Sequence, residues 1–196
     1  LLVAPSFLLL VGCATTQITV HAVGSKPPLC KAQTKTKPET ALILWGVAWR
    51  VNQKDAALRE EIASRAIAWY FDTSSCYAKA TVLRWAMGKE AIGLSDAEAL
   101  QFAKSQGAAT DKVILVRVEE LGPLIILYPS PVLWAGGTEV QLRIRVLAAH
   151  TSALEADITT LWKSSGPFVL KGTGTLEQDL HAALGSVFGE SNQGAK

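Results

Sequence analysis

Three histidines occur in the chain, at positions 21, 150 and 181, and only His150 has carboxylates shortly after it, at Glu155 and Asp157. A zinc site takes three or four closely held N, S or O ligands. His150, Glu155 and Asp157 are therefore the one group whose residue types fit a metal, although their setting reads as a solvated strand connection and no metal is expected. Gly172-Thr173-Gly174-Thr175 precedes a helical pattern, where free backbone N–H groups favour anions. Neither a Lys-Ser/Thr pair nor a third glycine follows, so a tight turn with an N-cap accounts for it. No G-x-S-x-G or S-x-x-K is present, and no spacing of Ser, His and Asp assembles a triad. The expectation is a protein without catalytic residues, cofactor or enzymatic activity.

The cysteines say more. None of the first 25 residues is charged. Leu1 to Val11 is apolar for about the length of a signal-peptide core, roughly 7–15 residues, and falls short of the roughly 20 that span a membrane. It runs into Leu10-Val11-Gly12-Cys13. That tetrad resembles the lipobox of bacterial lipoproteins, and the resemblance implies that Cys13 is acylated and becomes the mature N-terminus. Residues 1–12 are then a signal peptide whose own start precedes Leu1, since neither an initiator Met nor a basic segment leads it. Ala14 stands where an inner-membrane lipoprotein would be expected to carry Asp, so the resemblance favours the outer membrane. More than one acyl chain makes such anchoring stable.

Cys30 and Cys76 remain, and an exported chain meets an oxidising compartment. They form a candidate disulfide that would close a 46-residue separation, with a stabilisation of roughly 4 kcal/mol by chain entropy. Against the pairing, Cys30 falls in a segment that reads as a tether, and spacing alone does not bring two Cα atoms within bonding distance.

Tyr128-Pro129-Ser130-Pro131-Val132-Leu133-Trp134 places aromatic and aliphatic side chains in a Pro-framed connection. Loops expose what they carry, and Tyr and Trp are favoured anchors in interfaces. Tyr128, Leu133 and Trp134 are the candidate surface for a protein partner, the competing reading being that they cover the end of a sheet. The six Trp invite a carbohydrate-binding reading, but Trp45 and Trp49 lie in an apolar run and Trp69 on a helical stripe, which reads as core.

Composition sets the frame for these sites. In 196 residues, 49% are hydrophobic and the net charge is only +2, a globular balance that excludes a disordered chain. The same balance argues against binding nucleic acid through phosphate neutralisation. Residues 13–40 read as a lipidated N-terminus and flexible tether, because Ala14 to Thr40 lacks apolar periodicity and holds Pro27, Pro28 and Pro38. A flexible stretch of about 25 residues spans on the order of 25–30 Å. Residues 41–189 read as one domain and 190–196 as a polar tail.

Within that domain, Ala41 to Trp49 is a continuous apolar run, the pattern of a strand covered on both faces. Asn52 with Asp55 predicts a helix over about 54–70, its stripe formed by Leu58, Ile62, Ala66 and Trp69, with Arg59 on another face. A strand follows at Tyr77 to Trp85. Ser95 with Glu98 forms a capping box for a helix over 96–106. Strands are predicted at 111–119 and 123–128, separated by Gly122. Val140, Leu142, Ile144 and Val146 alternate with Glu139, Gln141, Arg143 and Arg145, a strand with one wet face. Further strands are predicted near 156–162 and 168–171. Thr175 caps a last helix with the stripe Leu176, Leu180, Ala183, Leu184, Val187 and Phe188, closed by Gly189. The sum is an α+β fold: a mixed sheet of about five to seven strands with three helices packed on one side.

The segment Leu94 to Leu100, followed by Gly107-Ala108-Ala109-Thr110-Asp111 and Lys112-Val113-Ile114-Leu115, is similar to the helix, gly-ala-x-asp turn and apolar strand of small periplasmic lipoproteins. These are relatives of the TolB N-terminal domain, LpoB and CsgG. The resemblance implies a non-enzymatic accessory or scaffold on the periplasmic face of the outer membrane, bound to an envelope protein. A periplasmic small-ligand or peptidoglycan-binding module is the alternative.

Overall fold

The computed structural model describes residues 15–30, 39–85, 95–106, 110–127, 134–167, 169 and 171–189. Its elements are β1 (Thr15–Gly24), β2 (Thr40–Val47), α1 (Ala56–Thr73), β3 (Lys79–Arg84), α2 (Asp96–Ser105), β4 (Lys112–Leu127), β5 (Trp134–Ala148), β6 (Leu154–Pro167) and α3 (Leu176–Phe188). They build one six-stranded sheet in the order β1-β6-β5-β4-β2-β3. β2 runs parallel to β3 and β4, whereas β4, β5, β6 and β1 form an antiparallel succession. The fold is α+β with a mixed sheet and three helices, as the sequence predicts.

Helices cover both faces of the sheet. Ile43 and Trp45 of β2 point into the larger core with α1 and α3, while Leu42 and Leu44 meet Ala99, Leu100 and Ala103 of α2 on the other side. The expectation of helices on one side is thus corrected, and the unbroken apolar run of β2 is the reason: alternate side chains each need a cover. α2 covers only part of its face: Leu147 of β5 still packs with it, whereas no described residue of β6 or β1 joins that cluster.

The reading of residues 13–40 as a tether is corrected over its first described part, for Thr15–Gly24 is a ten-residue strand paired antiparallel with β6 from Thr15↔Ser165 to Gly24↔Ala156, while residues 13, 14 and 31–38 lie outside the described residues. Thr, Ile and Val supply the β propensity, and Ile18, Val20 and Ala22 alternate with Gln17, Thr19 and His21. Beyond β1 the chain crosses to α3, where the Leu29 and Cys30 amides donate to the carbonyls of Val187 and Phe188 at 3.1 and 2.9 Å. Gly189 takes φ 88°, and a Cβ there would lie 2.1 Å from Pro28 Cβ. Glycine therefore both turns the chain out of α3 and admits the returning segment.

α1 is rotated relative to its predicted stripe. Arg59, Ile62, Ala63, Ala66, Ile67, Tyr70 and Phe71 are buried, while Leu58 and Trp69 are exposed. Tyr70 and Phe71 decide the rotation, since both rings pack against Phe188 of α3 at centroid distances of 5.9 and 5.3 Å. Asn52 makes no cap, and the helix begins after Asp55, whose side chain also makes no cap bond. By contrast, Ser95 and Glu98 form both bonds of the capping box. Gly122 does not separate two strands: β4 is continuous across it. Beyond Val118, β2 no longer pairs with β4, so among the described residues Pro123 falls where the strand has an open edge and proline is tolerated. At the last predicted strand, Val169 and Lys171 are outside any strand, and Phe168 and Leu170 lie outside the described residues.

Candidate functional site

Two features of the antiparallel half can meet another molecule: the polar face that α2 leaves largely uncovered among the described residues, and the free edge. On the face, side chains of β4, β5, β6 and β1 line up in rows set by the register. Arg117, Arg143, Thr159 and His21 form one row, and Glu139, Lys163 and Gln17 another. Charges of opposite sign answer each other along and across the strands. Arg143 Nη2 lies 2.9 Å from Asp157 Oδ2, and Arg145 Nη1 lies 2.6 Å from Asp96 Oδ1. Gln141 Nε2 donates to Glu119 at 2.8 Å. The Arg143 guanidinium holds the Asp157 carboxyl below the ordinary range, and Asp157 raises Arg143 in turn. Half-exposed pairs of this kind add little stability each. They make a polar, hydrated surface.

Where β1 closes this face, a shallow groove is lined by His21, Lys26, Arg143, Asp157 and Thr159, with Val20 and Val23 beside them. Hydrogen-bonding groups and apolar walls together suit a polar small molecule.

The free edge is the outer side of β1, which no strand pairs among the described residues. Thr15 to Thr19 are exposed on both faces of the strand as well. Ile18 keeps 48% of its surface accessible.

The residues singled out from sequence fall unevenly on this structure. Cys13 lies outside the described residues, as do Tyr128 and Leu133, and of Trp134 only the backbone is described, opening β5 opposite Leu127. Cys30 and Cys76 are joined in a disulfide with a Cα–Cα distance of 5.2 Å. The Cys30 segment is drawn to the end of α3, next to the turn after α1, and this brings the two cysteines together. His150, Glu155 and Asp157 are dispersed. His150 Nε2 lies 3.3 Å from Asp111, Glu155 pairs with Lys112 at 2.5 Å, and Asp157 faces Arg143. No group of three metal-binding side chains forms among the described residues. Trp45 is buried, whereas Trp69, expected in the core, is 44% exposed and lies 4.1 Å from the His181 ring. The β1 edge and the groove were missed because β1 was taken for tether. The alternation of Ile18, Val20 and Ala22 was the signal that could have found them.

Asp111 is structural. Its Oδ2 accepts from the Thr40 backbone N–H at 2.8 Å and the Thr40 hydroxyl at 2.9 Å, and these bonds, with His150 adding to them, hold its carboxyl at about 2. An Asp whose folded value is depressed contributes stability above its unfolded value of about 3.9 and loses it as pH falls through the folded one. Asp111→Ala should therefore lower the melting temperature most at pH 6, the difference shrinking from about pH 4 downward and closing only below pH 2. Thermal melts of both proteins across that range check this, and a constant difference would refute it.

No protein-family profile matches the chain, and no curated protein matches it in sequence. Among solved structures it is similar to the PelC dodecamer from Paraburkholderia phytofirmans, at TM-score 0.46 and 17% identity over 87% of this chain and 94% of that one. It is also similar to a putative neuraminyllactose-binding hemagglutinin homologue from Helicobacter pylori, at TM-score 0.38 and 9% identity over 79% and 85% of the two chains. A third is lipoprotein GNA1162 from Neisseria meningitidis, at TM-score 0.30 and 14% identity over 74% and 94%. Among the described residues, no helix is long and apolar enough to cross a membrane.

Proposed function

We propose that this chain is a lipid-anchored protein of the cell envelope, held on the periplasmic face of the outer membrane through acylated Cys13. Its α+β domain serves there as a non-enzymatic scaffold or accessory for an envelope protein. The observation that supports this most is the position of Cys13, in Leu10-Val11-Gly12-Cys13, two residues before Thr15, where β1 begins. Covalent geometry keeps Cys13 within about 7 Å of that strand. A tether would let the domain stand off the bilayer; here the fold starts at the anchor.

The end of the sheet at which β1 starts is then the end held to the membrane. The register runs there from Thr15 to Ser165, Gly137 and Leu124. β4 and β5 continue past this row, with Ile125 exposed, and the sequence that joins them carries Tyr128 and Leu133. The similarity to TolB-N, LpoB and CsgG relatives is consistent with a scaffold role. The groove of His21, Lys26, Arg143, Asp157 and Thr159 favours the second reading, a module for a polar small ligand such as a peptidoglycan fragment.

The deciding experiment is intact-mass analysis of native protein extracted from membranes after crosslinking. A diacylated Cys13 together with one recurrent crosslinked protein is the expected result. An unmodified thiol in a soluble chain would overturn the anchor, and an acylated chain crosslinked to no other protein would overturn the scaffold.

A further inference from the structure

We propose that the outer edge of β1 is a pairing surface for a second copy of this chain, the two β1 strands running antiparallel so that the two sheets become one. The edge presents a row of backbone donors and acceptors over ten residues, and only an extended backbone satisfies such a row. Natural edge strands are protected by charge, proline, bulges or shortness. β1 has none of these: Thr15-Thr16-Gln17-Ile18-Thr19-Val20-His21-Ala22-Val23-Gly24 contains no Asp, Glu, Lys, Arg or Pro, and its pairing with β6 runs without a register shift.

The opposite edge shows the contrast. β3 has six residues and carries Lys79 and Arg84 at its ends. A second β1 is the partner strand that suits this edge, because an uncharged strand laid against itself sets no like charges opposite one another. Pairing also gives the strand's exposed half something to bury. Ile18 and Val20 share the face turned toward α3, and in an antiparallel pair centred between them they become cross-strand neighbours of their counterparts.

The pair is isologous and closes at two copies. A single ten-residue ladder is a weak contact in free solution, and confinement on a surface raises the effective concentration of one copy around another. In that respect alone the inference leans on the acyl anchor of the proposed function.

The test is cysteine crosslinking of the full chain in its native membrane, with single substitutions Thr15→Cys, Gln17→Cys, Thr19→Cys, His21→Cys and Val23→Cys. The expected result is a homodimer whose self-crosslink is strongest at one central position and weak at both Thr15 and Val23. Adding Ile18→Lys should cut the crosslinked fraction about tenfold, because it removes both Ile18–Val20 cross-strand contacts and sets two lysines diagonally across the new ladder. Its melting temperature and its Cys30–Cys76 bond should stay unchanged. Gln17→Lys combined with His21→Lys, on the other face of the strand, sets lysine opposite lysine in this register and provides the same check if Ile18→Lys misfolds. The proposal falls if these positions stay uncrosslinked, or if they crosslink to residues 31–38 of the same chain or to a different protein. It falls equally if a dimer or larger assembly survives both lysine substitutions. Should Cys13 prove unmodified, the same crosslinking in concentrated solution separates failure of the anchor from failure of the edge.

Discussion

Arg59→Ala should cost this protein about 3–5 kcal/mol, the range for removing one partner of a buried ion pair. Arg59 is 7% exposed and Glu120 8%. Arg59 Nη1 donates to the Leu121 carbonyl at 2.7 Å and to Glu120 Oε1 at 3.3 Å. It thereby fastens α1 to β4 where the register with β5 shifts between Val118 and Glu120. Without it, the Leu121 carbonyl loses its side-chain donor. Glu120 is left with Gln53 at 3.0 Å and with Arg50 at 2.7 Å, and the Arg50 side chain is 70% exposed. Gly122 belongs to the same arrangement, since a Cβ there would lie 2.0 Å from Arg59 Nη1. Replacing both charges, as in Arg59→Met with Glu120→Met, should cost less than Arg59→Ala alone, because no buried carboxylate is then left to the exposed Arg50 as its one cationic partner among the described residues. Urea unfolding of the variants measures this. A loss under about 1 kcal/mol for Arg59→Ala would mean that Arg50, Gln53 and water already compensate Glu120.

That pair also marks where the sequence stops being legible. Several elements of residues 41–189 follow from local patterns: the apolar run of β2, the alternation of β5, the Ser95–Glu98 box and the α3 stripe each specify an element and its buried face. Arg59 does not, because an arginine on a helix reads as a wet face until a carboxylate and a carbonyl from residues some sixty positions away are brought to it. The rotation of α1 has the same origin. Leu58 and Trp69 are as apolar as the residues that displaced them, and the contact of Tyr70 and Phe71 with Phe188 is what settles the choice. Gly122 reads as a break for a similar reason, the guanidinium that needs its open side being invisible locally.

The candidate site was less legible than the fold, and β1 shows why. A strand with one edge free and half its length exposed on both faces buries little, so the polar–apolar alternation that reveals a strand is faint in it. Thr16 occupies the same face as Ile18 and Val20, which interrupts the apolar series. Prolines 27 and 28 follow closely and give the whole segment the composition of a linker. The groove inherits this difficulty, because two of its polar residues, His21 and Lys26, come from the stretch read as tether and two, Arg143 and Asp157, from distant strands.

Loss of the Cys30–Cys76 bond, by reduction or by Cys30→Ser with Cys76→Ser, should destabilise the domain by about 2–4 kcal/mol. The separation of 46 residues places the chain-entropy estimate near the top of that range. The position of the bond decides which part responds first. It ties the segment after β1 to the turn after α1, beside the two amides that Leu29 and Cys30 donate to the end of α3. Otherwise β1 is held by its ladder to β6 and by the partial burial of Val20 and Ala22. Hydrogen exchange of the reduced protein should therefore show β1 amides losing protection before those of β4 and β5, whose ladders lie inside the sheet. Uniform loss across the sheet would mean that β1 folds as one unit with the core and that the disulfide acts only on the unfolded chain. Early loss in β1 would mean that the bond keeps the charge-free edge in place.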